Sequence, residues 1–210
     1  MKFKIYTIKD IDEICRLIKN NSAVFGMRTD TVYGMICSAY DKKAIDKIYN
    51  IKNRDKNKPL GLFVDKKILY NDEIKNIVDI EKFDYDLFYH LADKYWPGAI
   101  TFILDKNTNN QYLKHISDND KIALRVPDNK IISDIINRID IPLAQTSLNI
   151  SGDKEVTTFD ELVEKFGGKL DFAIKCVEDD CVNDNISSTI LGIDKSDYKI
   201  IRKGKIEIND

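Results

Sequence analysis

Cysteine is scarce and scattered in this chain. Cys15, Cys37, Cys176 and Cys181 form neither a Cys-x-x-Cys pair nor a cluster with histidine. That spacing gives no zinc ribbon or redox motif and predicts free thiols. Histidine is rarer still, and neither His90 nor His115 sits beside a recognisable nucleophile or carboxylate arrangement, so a hydrolase triad has no support. No Gly-x-Gly-x-x-Gly fingerprint or Walker loop occurs, which argues against a Rossmann-type parallel sheet and against a P-loop. Neither sign of charge prevails: 33 Lys+Arg face 35 Asp+Glu. A protein dominated by nucleic-acid electrostatics would be more basic than that. The start, Met1-Lys2-Phe3-Lys4-Ile5-Tyr6, lacks an apolar signal region, and no run approaches membrane-spanning length. A cytoplasmic protein without membrane contact is expected. There is also no Pro/Gly/Ser-rich linker, repeat or low-complexity tract, so one domain over residues 1–210 is expected, with chain enough for a sizeable core.

What is present alternates between two periods. Apolar, β-prone runs near 22–29, 59–64, 100–105, 121–127, 142–147, 171–176, 187–193 and 198–202 read as strands. Segments near 11–20, 41–52, 73–80, 85–95, 129–138 and 159–166 read as amphipathic helices. Ala44, Ile45, Ile48 and Ile51 give the second of these its apolar stripe, with Asp41 as N-cap. Thr158 and Glu161 form a capping box for the last, and Gly167-Gly168 stop it. Several strands follow one another without a helix between them. The pattern therefore predicts an α/β domain with a mixed sheet. Trp96, at a helix-to-strand corner before Pro97-Gly98, reads as packing.

Polar groups recur at the ends of these strands, where ligand sites of α/β folds are built. Thr29-Asp30-Thr31-Val32-Tyr33-Gly34 ends the first run. Lys52 lies four residues after Ile48 and so points along the apolar face of its helix, where a cation needs a partner. It opens the basic loop Lys52-Asn53-Arg54-Asp55-Lys56-Asn57-Lys58, closed by Pro59, which reads as an anion grip. A basic heptad alone is ordinarily a solvated loop, and only its company changes that reading. Arg125, embedded in Lys121-Ile122-Ala123-Leu124-Arg125-Val126-Pro127, is a buried arginine in need of an anion. Gln145-Thr146-Ser147-Leu148-Asn149-Ile150-Ser151-Gly152 carries hydroxyls and an amide out of a strand. Ser187-Ser188-Thr189 starts another run, and Arg202-Lys203-Gly204 ends the last.

In this order, and with Tyr95-Trp96-Pro97-Gly98-Ala99-Ile100-Thr101 and Arg125-Val126-Pro127 between them, these islands resemble the threonylcarbamoyl-adenylate synthase family, the YrdC-like proteins. The resemblance spans about residues 22–206. It implies a twisted mixed, largely antiparallel sheet with flanking helices and a concave, positively lined face. It also implies an activity, the formation of L-threonylcarbamoyl-AMP and pyrophosphate from L-threonine, bicarbonate and ATP. The product feeds t6A modification of tRNA through a tRNA-modifying complex. By motif position, Lys52 and Arg54 are the catalytic cations. Arg54, Lys58, Lys121, Ser147, Asn149, Glu155 and Arg202 fall on the ATP side, with Mg2+ bridging phosphate oxygens. Thr31, Phe63, Arg125, Gln145 and Ser188 fall on the threonine side, Arg125 facing the carboxylate. Longer members carry a further C-terminal domain, so any step that needs one is expected to come from partners.

Two departures stand out: Arg28 where the family usually has Pro, and Met35 where Leu is common. If Arg28 reaches the cleft it adds positive charge beside the phosphates. Two other readings remain open on sequence. The cationic face would suit a module binding double-stranded RNA or tRNA. A paralogue would use the nucleotide machinery on another substrate.

Overall fold

The computed structural model describes residues 3–176 and 185–209. The strands are β1 (Lys4–Tyr6), β2 (Phe25–Arg28), β3 (Tyr33–Ser38), β4 (Gly61–Phe63), β5 (Ile100–Asp105), β6 (Lys121–Arg125), β7 (Leu143–Ser147), β8 (Phe172–Ile174), β9 (Thr189–Ile193) and β10 (Tyr198–Arg202). They form one sheet in the order β1-β8-β2-β3-β7-β4-β6-β5-β9-β10. Pairs β1·β8, β2·β8, β4·β6 and β5·β9 are parallel, whereas β2·β3, β3·β7, β4·β7, β5·β6 and β9·β10 are antiparallel. The sheet is mixed, as the absence of strict strand-helix alternation predicts.

Helices α1 (Ile11–Asn20), α2 (Lys42–Lys52), α3 (Ile74–Ile77), α4 (Tyr85–Tyr95), α5 (Lys130–Ile139) and α6 (Phe159–Phe166) cover both faces. The period of 2 along the strands divides their side chains between two cores. Met35 and Leu62 join Ile45, Ile48, Phe88 and Leu91 of α2 and α4 on one face. Their neighbours Ile36 and Phe63 join Ile14, Ile18, Ile132 and Ile135 of α1 and α5 on the other. A sheet covered on both faces can place functional groups only at its edges and strand ends, and the site lies at such ends.

Local signals act as their chemistry dictates. The Asp41 carboxylate accepts from Ala44 N at 3.1 Å and Asn129 from Ile132 N at 3.0 Å, capping α2 and α5. At α6, Thr158 accepts from Glu161 N at 3.2 Å, but the Glu161 carboxylate accepts from Thr157 N and not from the N-cap itself, so the reciprocal half of the box sits one residue earlier. Trp96 packs between Phe88 and Phe102 and donates to Ile100 O at 2.8 Å.

The structure corrects several expectations. β1 is short and polar and carries no alternation to read. β3, buried throughout, follows the Thr-Asp-Thr segment, which the sequence reads only as the polar end of the first run, with no strand after it. The 73–80 helix shortens to α3 because Val78 leaves the helix and bridges Lys106. Cys15 and Cys37 are free and buried, but Cys176 is disulfide-bonded, and Cys181 lies outside the described residues. A scattered spacing carries no signal for such a bond.

Candidate functional site

The last turn of α2 places Lys52 in the interior, with 1 % of its surface exposed. Its ammonium donates to Ser147 O at 2.5 Å, Asn149 O at 2.9 Å and Asn149 Oδ1 at 2.8 Å. All three protons are therefore engaged by the loop that leaves β7. The chain turns away through Asn53, which adopts the left-handed conformation (φ 49°) that ends α2 and that asparagine tolerates. Ser151 N closes the junction by donating to Lys52 O at 2.9 Å. Within the loop, Ser147 Oγ donates to Asn149 Oδ1 at 2.7 Å, and Asn149 Nδ2 donates to Asp153 O at 2.9 Å. Burial among neutral acceptors, together with the nearby Arg54 charge, lowers the Lys52 pKa to about 8, opposed in part by Glu155.

Arg54 organises the basic loop. Its Nε donates to Lys58 O and its Nη2 to Pro59 O, both at 2.9 Å, while the Lys58 side chain stays exposed. Burial lowers the Arg54 pKa. Lys121 begins β6 and pairs with Asp105 at 2.8 Å; about 3.3 Å per residue separates it from Arg125 by roughly 13 Å. Its strand start lies beside the basic loop, where Asn119 Nδ2 donates to Asn57 O at 3.3 Å.

A second group forms around Arg125 at the other end of β6, 3 % exposed. Arg125 Nε donates to Gly98 O at 2.9 Å, Nη1 to Thr31 Oγ1 at 2.9 Å and Nη2 to Asp30 Oδ2 at 2.6 Å. Asp128 N donates to the same Asp30 oxygen at 3.0 Å, whereas Asp30 Oδ1 is buried without a hydrogen-bond partner among the described residues. Burial lowers the Arg125 pKa and Asp30 counters it. Phe63, paired with Arg125 in register, puts its ring 5.8 Å from the guanidinium carbon. Gln145 lies across Gly61 and Ile36 in β7, two residues before Ser147.

Ser188 is buried beside this group and shares a hydrogen bond of 2.8 Å with Thr101. Arg202 donates to Ser188 O through Nη2 at 2.7 Å and Nε at 3.2 Å, and to Ser188 Oγ through Nη2 at 3.3 Å. The Arg202 charge presses on Arg125, while Glu155 favours the charged forms of both Arg202 and Lys52. Electrostatically, the 52–54 and 147–155 segments and the Arg125–Ser188–Arg202 group are one neighbourhood.

Sequence reasoning missed Asp30, the Gly98 carbonyl and Thr101 as supports. The signal was available for Asp30: a buried arginine needs an anion, and the chain itself supplies one from the β2–β3 connection, with β7 and β4 lying between β3 and β6. Arg28 rests with its guanidinium carbon 5.7 Å from the centroid of the Tyr33 ring, across the β2–β3 hairpin. No group of three or more metal-ligating side chains occurs among the described residues, and no helix among them is long and apolar enough to cross a membrane. Glu155 is a carboxylate whose charge acts on both Lys52 and Arg202. One such group suits Mg2+, which is commonly held by one or two carboxylates and substrate phosphates.

The Sua5/YciO/YrdC family model, described as telomere recombination, matches residues 17–204. A putative threonylcarbamoyl-AMP synthase of Methanocaldococcus jannaschii is 34 % identical, covering 99 % of this chain and 96 % of its own. The threonylcarbamoyl-AMP synthase of Pyrococcus abyssi is 26 % identical over 87 % of this chain and 50 % of its own, so this chain spans about half of that relative. A crystal structure of P. abyssi Sua5 complexed with L-threonine superposes with a TM-score of 0.81 at 22 % identity, covering 97 % of this chain and 58 % of that one. At that identity the likeness shows the fold.

Proposed function

Because this chain belongs to the Sua5/YciO/YrdC family, we propose that it is an L-threonylcarbamoyladenylate synthase, a nucleotidyltransferase that joins L-threonine, bicarbonate and ATP into threonylcarbamoyl-AMP and releases pyrophosphate. The observation that carries this reading is the position of Arg202, which donates to Ser188 and, like Lys52, lies within the electrostatic reach of Glu155. An amino-acid subsite and an anion subsite are thereby joined at one cation.

The carboxylated amino acid attacks the α-phosphorus as negative charge builds on pyrophosphate, so catalysis is chiefly positioning and charge neutralisation. Arg54, Lys58 and Arg202 hold the phosphates, with Lys121 flanking the basic loop. Lys52 acts through the loop it fixes, holding Ser147 and Asn149 in place and adding its charge at short range. Arg125, Thr31 and Ser188 take the threonine carboxylate and hydroxyl, with Phe63 and Gln145 as walls. Glu155 would be the protein-side carboxylate for Mg2+, which would supply charge neutralisation at the phosphates. The product passes in the cytoplasm to a tRNA-modifying complex. Selection of threonine over serine rests on one methyl, worth about 1–3 kcal/mol, so serine is turned over slowly.

The test is pyrophosphate release from ATP with L-threonine and bicarbonate each omitted in turn, and the adenylate identified by mass. Release that requires both supports the synthase. Release with neither, or none despite ATP binding, refutes it in favour of another substrate.

A further inference from the structure

At the end of the sheet opposite Ser147, a cavity of about 800 Å³ opens between Tyr40, Asn76 and the 107–115 segment. β3 runs from Tyr33 at the candidate site to Ser38 near this cavity, roughly 17 Å at about 3.3 Å per residue. The walls are phenols, amides and two basic side chains, Lys114 and His115, with no carboxylate. In a chain holding 35 Asp+Glu, a lining free of them marks a surface that admits anions.

Two aromatic rings sit at its mouth. Tyr40 and Tyr112 are 41 % and 55 % exposed. Their centroids lie 4.7 Å apart with planes tilted by 34°. Neither hydroxyl has a hydrogen-bond partner among the described residues. The floor beneath them is fixed: Asn107 Nδ2 donates to Lys75 O at 2.7 Å, Asn110 Nδ2 donates to Asn76 O at 2.8 Å, and Asn110 Oδ1 accepts from Tyr112 N at 3.0 Å. The side-chain amides of Asn76, Asn109 and Gln111 make no such bond among the described residues and line the same cavity. Lys114 has no ion-pair partner among the described residues. The adjoining cavity, which shares Tyr40 and Asn76, is lined by Asp65, Glu73 and Asp140, so a bound anion is confined to the Lys114 end.

We infer that this groove binds an unpaired nucleotide, free or within single-stranded RNA, with its base stacked on Tyr112, its edge met by the free amides and its phosphate at Lys114. Stacking on an exposed aromatic ring is the sequence-tolerant part of single-strand recognition, and amides supply both donor and acceptor to a base edge. A neutral sugar would leave Lys114 unused. A rigid duplex keeps its bases stacked inside and offers none to the ring. The site shares no residue with the proposed synthase chemistry, so either conclusion can fail alone.

The test is fluorescence anisotropy of a labelled single-stranded octaribonucleotide with the full chain. Controls are the same sequence as duplex, AMP as competitor, and the variants Tyr112→Ala and Lys114→Glu, with the thermal unfolding midpoint as the control for folding. The expected results are binding of the single strand, at least fivefold loss in Tyr112→Ala with the unfolding midpoint unchanged, and a loss in Lys114→Glu as well. One phosphate contact gives a shallow salt dependence, with a slope of about −0.7 in log K against log salt. Competition by AMP assigns the groove to free nucleotides; its failure while the oligomer binds assigns it to RNA. Equal affinity for duplex and single strand, or full affinity in both variants, overturns the inference.

Discussion

Lys52 Nζ holds both oxygens of Asn149, the side-chain one at 2.8 Å and the main-chain one at 2.9 Å. The helix end and the Ser147–Ser151 loop are thus a single unit, and the ammonium that joins them has its pKa lowered to about 8 by burial. It is charged below that value and loses its proton above it. Pyrophosphate release should therefore fall as pH rises through about 8, up to tenfold per unit, and a kcat profile from pH 6 to 10 checks this. Lys52→Met should remove that limb and lower kcat by about 10²-fold, the scale of losing one preorganised donor.

The same proton makes a separate prediction for stability. Below about 8, Lys52 is charged in both folded and unfolded chains, and it contributes no slope. Between about 8 and the ordinary 10.5, the unfolded chain binds the extra proton, so its contribution to stability rises with pH. Urea midpoints measured from pH 7.5 to 10 should show this upward term in the wild type and lose it in Lys52→Met. A wild-type trend matching the variant would refute it.

Arg125 and Asp30 form a buried pair whose side chains are 4 % and 11 % exposed. Removing one charge strands the other. Arg125→Met should destabilise the protein by about 3–5 kcal/mol. The double variant with Asp30→Asn should recover a good part of that, since no charge is then left uncompensated. Denaturant melts of the two single variants and the double variant measure the coupling, and additivity would show the pair to be energetically unlinked.

Much of this was legible in the chain. The limits of α1, α4, α6, β5 and β10 coincide with the amphipathic or alternating segments; among the helices, α1 ends before Asn21, α4 shortly before Pro97-Gly98 and α6 before Gly167-Gly168. The cations of the site were visible as charges interrupting apolar runs. Their partners were not, because Asp30 pairs with Arg125 across 95 positions and Thr101 with Ser188 across 87. Sequence spacing carries no record of a contact made by sheet order. The direction of Lys52 shows the same limit: its helical phase predicts an inward-pointing cation needing a partner, but not that the partners are three neutral oxygens of another loop.

Thr101 supports Ser188 through a single 2.8 Å hydrogen bond inside the sheet. Thr101→Val keeps the shape and β preference while removing the hydroxyl. It should cost about 1 kcal/mol of stability. If Ser188 contacts threonine, the KM for threonine should rise several-fold with the KM for ATP unchanged. Equal changes in both constants would mean that Thr101 supports the fold and not the amino-acid subsite.

Gly204 is where the C-terminal strap crosses the Ser187–Thr189 segment. Its N donates to Thr189 Oγ1 at 3.0 Å, and Lys205 N donates to Ser187 O at 2.9 Å. A Cβ built on Gly204 would run into the main chain of Ser187 and Ser188, just before β9, atoms that cannot turn aside as a side chain can. The glycine of the Arg202-x-Gly204 motif is therefore a requirement of close approach. Gly204→Ala must displace either the strap or Ser188, and overpacking of this kind costs about 1–3 kcal/mol. Arg202 reaches Ser188 from the same strap, so the displacement should weaken the proposed amino-acid and phosphate subsites together. The expected outcome is a lowered melting temperature with raised KM for both threonine and ATP. A variant with wild-type melting and kinetics would show that the strap has room to move and that its path does not set the site.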